Sequence, residues 1–280
     1  MCGYTKRHSY SMEIIIIIQA AIIIFLIKTI LSKDKKVKEA TSLLNEYGDN
    51  EKESITYSWK LDSARKTKLK GHLTLRFNPD EIKEQRMNNP FATFNNSNTY
   101  GMESNLRKMY FYMLNHPRTL MHTAEIVKYI NRECSKNRID ELDKLQFVLD
   151  FVQEPNVKYN YDHDCAEIQY PKEYIRFPDE TLYDRHGDCD CKSFLAATLF
   201  HLMGYNVLFL ISYKLEHAAI CIEYDERWKA LLQNSMSTVV TEYEGRKYVY
   251  CETTSDNFRI GGISPDFTVK DFEIKIELRG

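Results

Sequence analysis

Length, composition and charge allow one large or two small globular domains. The chain has 280 residues, of which 43% are hydrophobic, and a formal net charge of −2. This balanced charge gives no indication of a nucleic-acid partner. The seven cysteines are an odd number for a disulfide framework and fit a reducing compartment slightly better than an oxidising one.

An apolar segment from Ile14 to Leu31 predicts a single transmembrane helix, so residues 1–32 are interpreted as an N-terminal membrane anchor. Its 18 residues approach the ~20 needed to cross a bilayer. A buried soluble helix of this length should show a polar face, and this segment shows none. A cleaved signal peptide is the other alternative, but no small-x-small cleavage site follows. Lysines after the segment favour a cytoplasmic-facing core.

Residues 33–135 are expected to form an accessory region of strands and helices, and residues 136–280 the core domain. Within the accessory region, His72–Phe77 alternates with period two and predicts a strand. Helix-like apolar spacing recurs in residues 102–132 and again in residues 139–154.

The core domain is expected to contain one long buried helix followed by strands. An apolar run from Phe194 to Met203 predicts the helix, which should end at Gly204. Alternating or apolar stretches then predict strands at residues 207–212, 217–224, 247–252 and 272–278. Helices followed by a run of mostly antiparallel strands indicate an α+β fold.

Cys189, His217 and Glu252 supply the parts of a nucleophile–base–orienter triad, each on its own element. Cys189 lies where the helix should start, and free N–H groups and the helix dipole there favour a thiolate. The alternative, non-catalytic interpretations of these residues are a core cysteine, a surface histidine and a solvated carboxylate at a strand end. His201 is a poor base because it lies on the nucleophile helix, about three turns from the cysteine.

A zinc site is the competing chemistry. His163, Cys165, His186, Cys189 and Cys191 supply enough ligands for a tetrahedral site. They lack a C-x-x-C knuckle, and C-x-C is a poorer chelate for one ion, so no metal is predicted. Cys191 points to a different side of the helix from Cys189. It is interpreted as structural, with a redox resolving role as the alternative. P-loop, dinucleotide and EF-hand patterns are absent, and no cofactor is predicted.

The motifs around these residues resemble the transglutaminase-like superfamily of papain-like fold, including bacterial and archaeal members. The motifs that carry the resemblance follow one another in the order Pro178-Asp179-Glu180-Thr181-Leu182, Gly187-Asp188-Cys189-Asp190, Leu202-Met203-Gly204-Tyr205-Asn206-Val207, His217-Ala218-Ala219 and Glu252-Thr253-Thr254. The resemblance covers roughly residues 140–265. Many relatives carry an acidic residue where Cys191 stands, but Cys189 matches the family cysteine. The resemblance implies a papain-like core in which the cysteine helix packs on an antiparallel sheet.

The resemblance also implies thiol acyl-transfer chemistry on a protein or peptide substrate. Cys189 would attack an amide carbonyl, His217 would protonate the leaving amine and Glu252 would orient the imidazole. In papain-like enzymes an upstream glutamine helps bind the oxyanion, a role that would fall to Gln153, with the Cys189 backbone N–H as the other donor. Hydrolysis is favoured over cross-linking. The alternative is an inactive, membrane-tethered binding module on the same fold.

Overall fold

A computed structural model describes residues 52–63, 65–89, 102–153, 156–161, 174–232 and 238–279. All of them belong to one compact unit, Gly48–Gly280. The anchor expected at residues 14–31 lies outside this described part and stays a prediction. Within the described ranges, none of the helices combines the length and the apolar character needed to cross a membrane.

Helices and a mainly antiparallel sheet make up this unit, which confirms the predicted α+β class. The helices are α1 Pro79–Met87, α2 Met102–Asn115, α3 Pro117–Lys136, α4 Glu141–Val152, α5 Pro178–Asp184, α6 Cys189–Leu202 and α7 Lys229–Leu232. The strands are β1 Glu53–Lys60, β2 Lys70–Phe77, β3 Lys158–Tyr159, β4 His186–Gly187, β5 Val207–Ser212, β6 His217–Glu223, β7 Val240–Tyr243, β8 Arg246–Cys251 and β9 Ile274–Leu278.

The central sheet has five strands in the order β7-β8-β6-β5-β9, and every neighbouring pair is antiparallel. Because side chains alternate along a strand, the sheet has two buried faces. Phe209, Ile220 and Val249 belong to the main hydrophobic core with α6. Leu210 and Tyr250 belong to a second, smaller core on the other face. The sheet is therefore covered on both sides, with the cysteine helix on one of them.

Helix α6 is buried along most of its length, and its start is fixed by a side-chain cap. The Asp188 carboxylate accepts a hydrogen bond from the Cys191 backbone N–H at 3.3 Å, which satisfies a helix-terminal donor. Gly187, just before the cap, lies so close that an added Cβ would be 2.7 Å from the Cys191 Cβ. The helix ends before Gly204, whose φ of 95° is left-handed. The predicted apolar run is thus the interior of a longer helix that begins at Cys189.

The hairpin of β1 and β2 packs on α4, so the main core is continuous across the division expected near residue 135. The Trp59 ring stacks on Phe147 with centroids 5.0 Å apart, and its Nε1 donates to the Phe147 carbonyl at 3.1 Å. The Tyr57 hydroxyl also contacts a residue beyond this division, because it donates a hydrogen bond to the Leu182 carbonyl at 2.6 Å. Gly71 permits this packing, because a Cβ there would be 2.3 Å from the Trp59 ring. In the described residues, the accessory region therefore shares its hydrophobic core with residues 136–279.

Candidate active site

Cys189 is the first residue of α6, and its sulfur faces the backbone around His217. Its Sγ lies 3.9 Å from the carbonyl oxygen of Glu216. Burial raises the pKa of the Cys189 thiol well above its usual range, and the Asp190 and Asp188 carboxylates add to the increase. Backbone N–H groups of Ala218 and Asp190 lower the pKa, but by less. The thiolate expected from the helix terminus is therefore disfavoured at rest, and the thiol needs a base.

His217 and Glu252 form a hydrogen-bonded pair on neighbouring strands. His217 is the first residue of β6, and Glu252 directly follows β8, which pairs with β6. The His217 Nε2 lies 3.1 Å from the Glu252 Oε2. An ionised carboxylate is an acceptor only, so the imidazole Nε2 is the donor. The other ring nitrogen, Nδ1, is then the one that can accept a proton.

The Glu252 carboxylate is buried and surrounded by donors. Its Oε1 accepts from the backbone N–H groups of Thr253 and Thr254, each at 2.9 Å, and from the Thr254 hydroxyl at 2.6 Å. Its Oε2 also accepts from the Tyr250 hydroxyl at 2.9 Å. Burial raises the pKa of this carboxyl, but the hydrogen bond and charge of His217, with help from Thr254, lower it to about 2. Glu252 is therefore a fixed negative charge behind the imidazole.

The structure places His217 within hydrogen-bond distance of Glu252, but it does not place the Cys189 thiol within hydrogen-bond distance of the imidazole. In the described part of the chain, the Cys189 sulfur hydrogen-bonds to the Glu216 carbonyl and not to the His217 ring. The sulfur nevertheless lies close to the residues that flank His217, since it contacts the Glu216 carbonyl and the Ala218 backbone lowers the pKa of the thiol. The φ of Glu216 is 48°, a left-handed value that turns the chain sharply into β6.

Gln153, expected to face an oxyanion, is directed at backbone carbonyls. It caps the C-terminus of α4, and its side chain is buried. Its Nε2 donates to the Glu252 carbonyl at 2.8 Å and to the Phe258 carbonyl at 3.0 Å. A side-chain amide has two N–H donors, so neither is left for an oxyanion in this arrangement. Gln153 instead ties α4 to the segment that follows β8.

Ser193 and Thr253 also join the elements of the site, and neither was predicted from the sequence as a site residue. The Ser193 hydroxyl donates to the Ala218 carbonyl at 3.1 Å and lies 2.9 Å from the Thr253 hydroxyl. Ser193 lies four residues after Cys189, a spacing that places both on one helix face. That spacing and the adjacency of Thr253 to Glu252 were the available signals.

Cys191 occupies a different environment from Cys189. Its sulfur is fully buried, 3.4 Å from the Arg176 backbone nitrogen and 3.6 Å from the Arg176 Nη1. Across the described ranges, the one group close enough to share a metal is Asp188, Asp190 and Cys191, which contains neither Cys189 nor a histidine. The guanidinium of Arg176 beside it opposes a bound cation. His163 and Cys165 lie outside the described residues.

Comparison with protein families gives one match. The model of a family described as a transglutaminase-like domain matches residues 103–260, which is 158 of the 280 residues. The matched range runs from α2 to the loop after β8 and includes Cys189, His217 and Glu252. A search of curated proteins found no match.

Proposed function

Because the chain belongs to the transglutaminase-like domain family, we propose that it is a cysteine-dependent enzyme acting on amide bonds of a protein or peptide. The observation that supports this most is the 3.1 Å hydrogen bond between His217 and Glu252. It prepares a base next to the Glu216 carbonyl, which the Cys189 sulfur already contacts. A thiol, an imidazole and a buried carboxylate in this order are the components of nucleophilic acyl transfer.

In the proposed reaction, the Cys189 thiol transfers its proton to the Nδ1 of His217 as the sulfur attacks the amide carbonyl carbon. The imidazolium then returns this proton to the leaving amine, the C–N bond breaks and a thioester remains. Glu252 stays ionised throughout and holds the Nε2–H, which stabilises the imidazolium. Water then attacks the thioester to give an acid, or a second amine attacks it to give a new amide. We favour hydrolysis as the outcome.

The sulfur must leave the Glu216 carbonyl before this reaction can begin. A cysteine side chain has one rotatable bond with three staggered positions, so a change of χ1 redirects the sulfur without moving the helix. Catalytic contacts are often long before substrate binds and shorten in the complex. We propose that the thiol exchanges between Glu216 and the imidazole by this rotation in the free protein, and that a bound substrate holds it beside the imidazole.

An inactive binding module is the second candidate. It is favoured by the raised pKa of the Cys189 thiol and by the hydrogen bond that this thiol makes to a backbone carbonyl. A protein of this kind would bind peptides without forming a thioester.

Product analysis separates the two candidates. The protein is incubated with a mixture of peptides and a fluorescent primary amine, and mass spectrometry identifies new peptide termini or amine adducts. We expect new termini with the wild type and with Cys191→Ala, the matched control two residues away, and none with Cys189→Ala. Products that persist in Cys189→Ala would refute the nucleophile. No products with any of the three proteins would favour the binding module.

A further inference from the structure

Tyr250 shares an acceptor atom with the candidate base. Its hydroxyl lies 2.9 Å from the Glu252 Oε2, the same oxygen that lies 3.1 Å from the His217 Nε2. We propose that Tyr250 is a positioning residue: its hydroxyl fixes this oxygen so that His217 keeps its Nε2–H on Glu252 and presents its Nδ1 to Cys189. This inference rests on the proposed function, because it assigns a role within the same site.

The two oxygens of Glu252 are held in different ways. Three donors from Thr253 and Thr254 hold Oε1. The imidazole and the Tyr250 hydroxyl are the two donors to Oε2. A carboxylate oxygen has two lone pairs, so both donors can be accommodated at once. Without the phenol, the position of Oε2 would depend on the imidazole that it is supposed to orient.

Two phenylalanine rings, Phe267 and Phe272, pack against the ring of Tyr250 and hold it in place. We call these three residues the aromatic cluster. The two phenylalanine rings lie 6.5 and 6.2 Å from the Tyr250 ring. They also lie 5.4 and 6.0 Å from the His217 ring. The cluster therefore covers both donors to Oε2 with apolar surface, where a hydrogen bond is stronger than in water.

The phenol remains a donor over the whole range in which the site could work. Burial raises the pKa of Tyr250, and the charge of Glu252 raises it further. A carboxylate that accepts several hydrogen bonds is a weak base, so Glu252 does not take the imidazole proton. The titratable groups that act on Tyr250 are Glu252, Cys221 and Cys251. Those that act on Cys189 are Asp190 and Asp188.

The same strand offers a matched control. Tyr248 also lies on β8, two residues before Tyr250 and on the same face. Both side chains are fully buried in the second core. The Tyr248 hydroxyl donates to a different carboxylate, the Glu277 Oε1, at 2.5 Å. Replacing either tyrosine by phenylalanine removes one hydroxyl from one buried carboxylate, but only one of the two carboxylates faces His217.

The experiment compares full-length wild type, Tyr250→Phe and Tyr248→Phe. The tautomer of His217 is measured by ¹⁵N NMR, and the alkylation rate of Cys189 by iodoacetamide is measured against pH with peptide mass spectrometry. We expect the Nε2–H tautomer in the wild type and in Tyr248→Phe. In Tyr250→Phe, the phenol no longer fixes Oε2, so part of the His217 population should carry its proton on Nδ1 or turn this nitrogen away from Cys189. The alkylation rate of Cys189 at pH 7 should then fall roughly three- to tenfold.

Identical tautomers and profiles in Tyr250→Phe and Tyr248→Phe would overturn the inference. A His217→Ala profile equal to that of the wild type would instead refute the proposed function, and the NMR comparison would still test the positioning role. If Tyr250→Phe does not fold, the wild-type spectrum decides. An Nδ1–H tautomer there contradicts the inference, and an Nε2–H tautomer supports it.

Discussion

Glu252 couples the candidate site to the stability of the fold through its charge. Its pKa is about 2 in the folded protein, against an ordinary value of 4.5. Because the folded-state pKa is the lower one, this charge stabilises the protein above pH ~4.5, and the contribution is lost as the pH falls toward 2. The difference corresponds to roughly 3 kcal/mol of unfolding free energy at neutral pH.

We therefore expect Glu252→Gln to reduce the unfolding free energy at pH 7 by roughly 2–3 kcal/mol and to weaken the loss of stability between pH 4.5 and 2. Urea denaturation at a series of pH values measures both effects. Glu242→Gln, on the exposed side of β7, is the control for simple loss of charge. An acid dependence in Glu252→Gln as steep as in the wild type would show that Glu252 does not carry this charge effect.

At the scale of elements, the site depends on how α6, β6 and the segment after β8 are held together. Ser193 on α6 links the Ala218 carbonyl on β6 to the Thr253 hydroxyl beside Glu252. Ser193→Ala should cost roughly 1–2 kcal/mol of stability, because it leaves a buried carbonyl without this donor. It should also slow iodoacetamide alkylation of Cys189 several-fold, since the elements lose a fixed spacing.

Thr198→Val is the matched control for Ser193→Ala. Thr198 is buried on the same helix, but its hydroxyl donates within the helix, to the Phe194 carbonyl at 2.8 Å. A similar loss of stability without a change in Cys189 alkylation is expected for this variant. If both variants slow alkylation equally, the effect comes from the helix alone and not from the link between elements.

For the whole molecule, local patterns predicted the elements well and their packing poorly. Strand β5 has the bounds expected from its apolar run, and α4 lies within the helix-like stretch of residues 139–154. The expected division near residue 135 has no counterpart in the packing, because Trp59 packs on Phe147 across it. Pairings of this kind join residues far apart in the chain, and no local period encodes them.

In the candidate site, too, features that depend on neighbouring residues in the sequence could be predicted, and contacts between residues far apart in the chain could not. The types and order of Cys189, His217 and Glu252 were visible in the sequence. The hydrogen bond from the Tyr250 hydroxyl to Glu252 and the direction of the Gln153 amide were not visible there, because both follow from the tertiary fold. Burial also reversed the expected tendency of the helix start to favour a thiolate at Cys189.

The central claim is that His217 activates Cys189, and the alkylation rate of Cys189 against pH in wild type and His217→Ala tests it most directly. Burial alone would restrict the thiol to alkaline reactivity, because it raises the pKa of Cys189. We predict that the wild type already reacts with iodoacetamide at pH 7, and that His217→Ala reacts there at least about tenfold more slowly and recovers only at alkaline pH. Superimposable profiles for the two proteins would contradict the account.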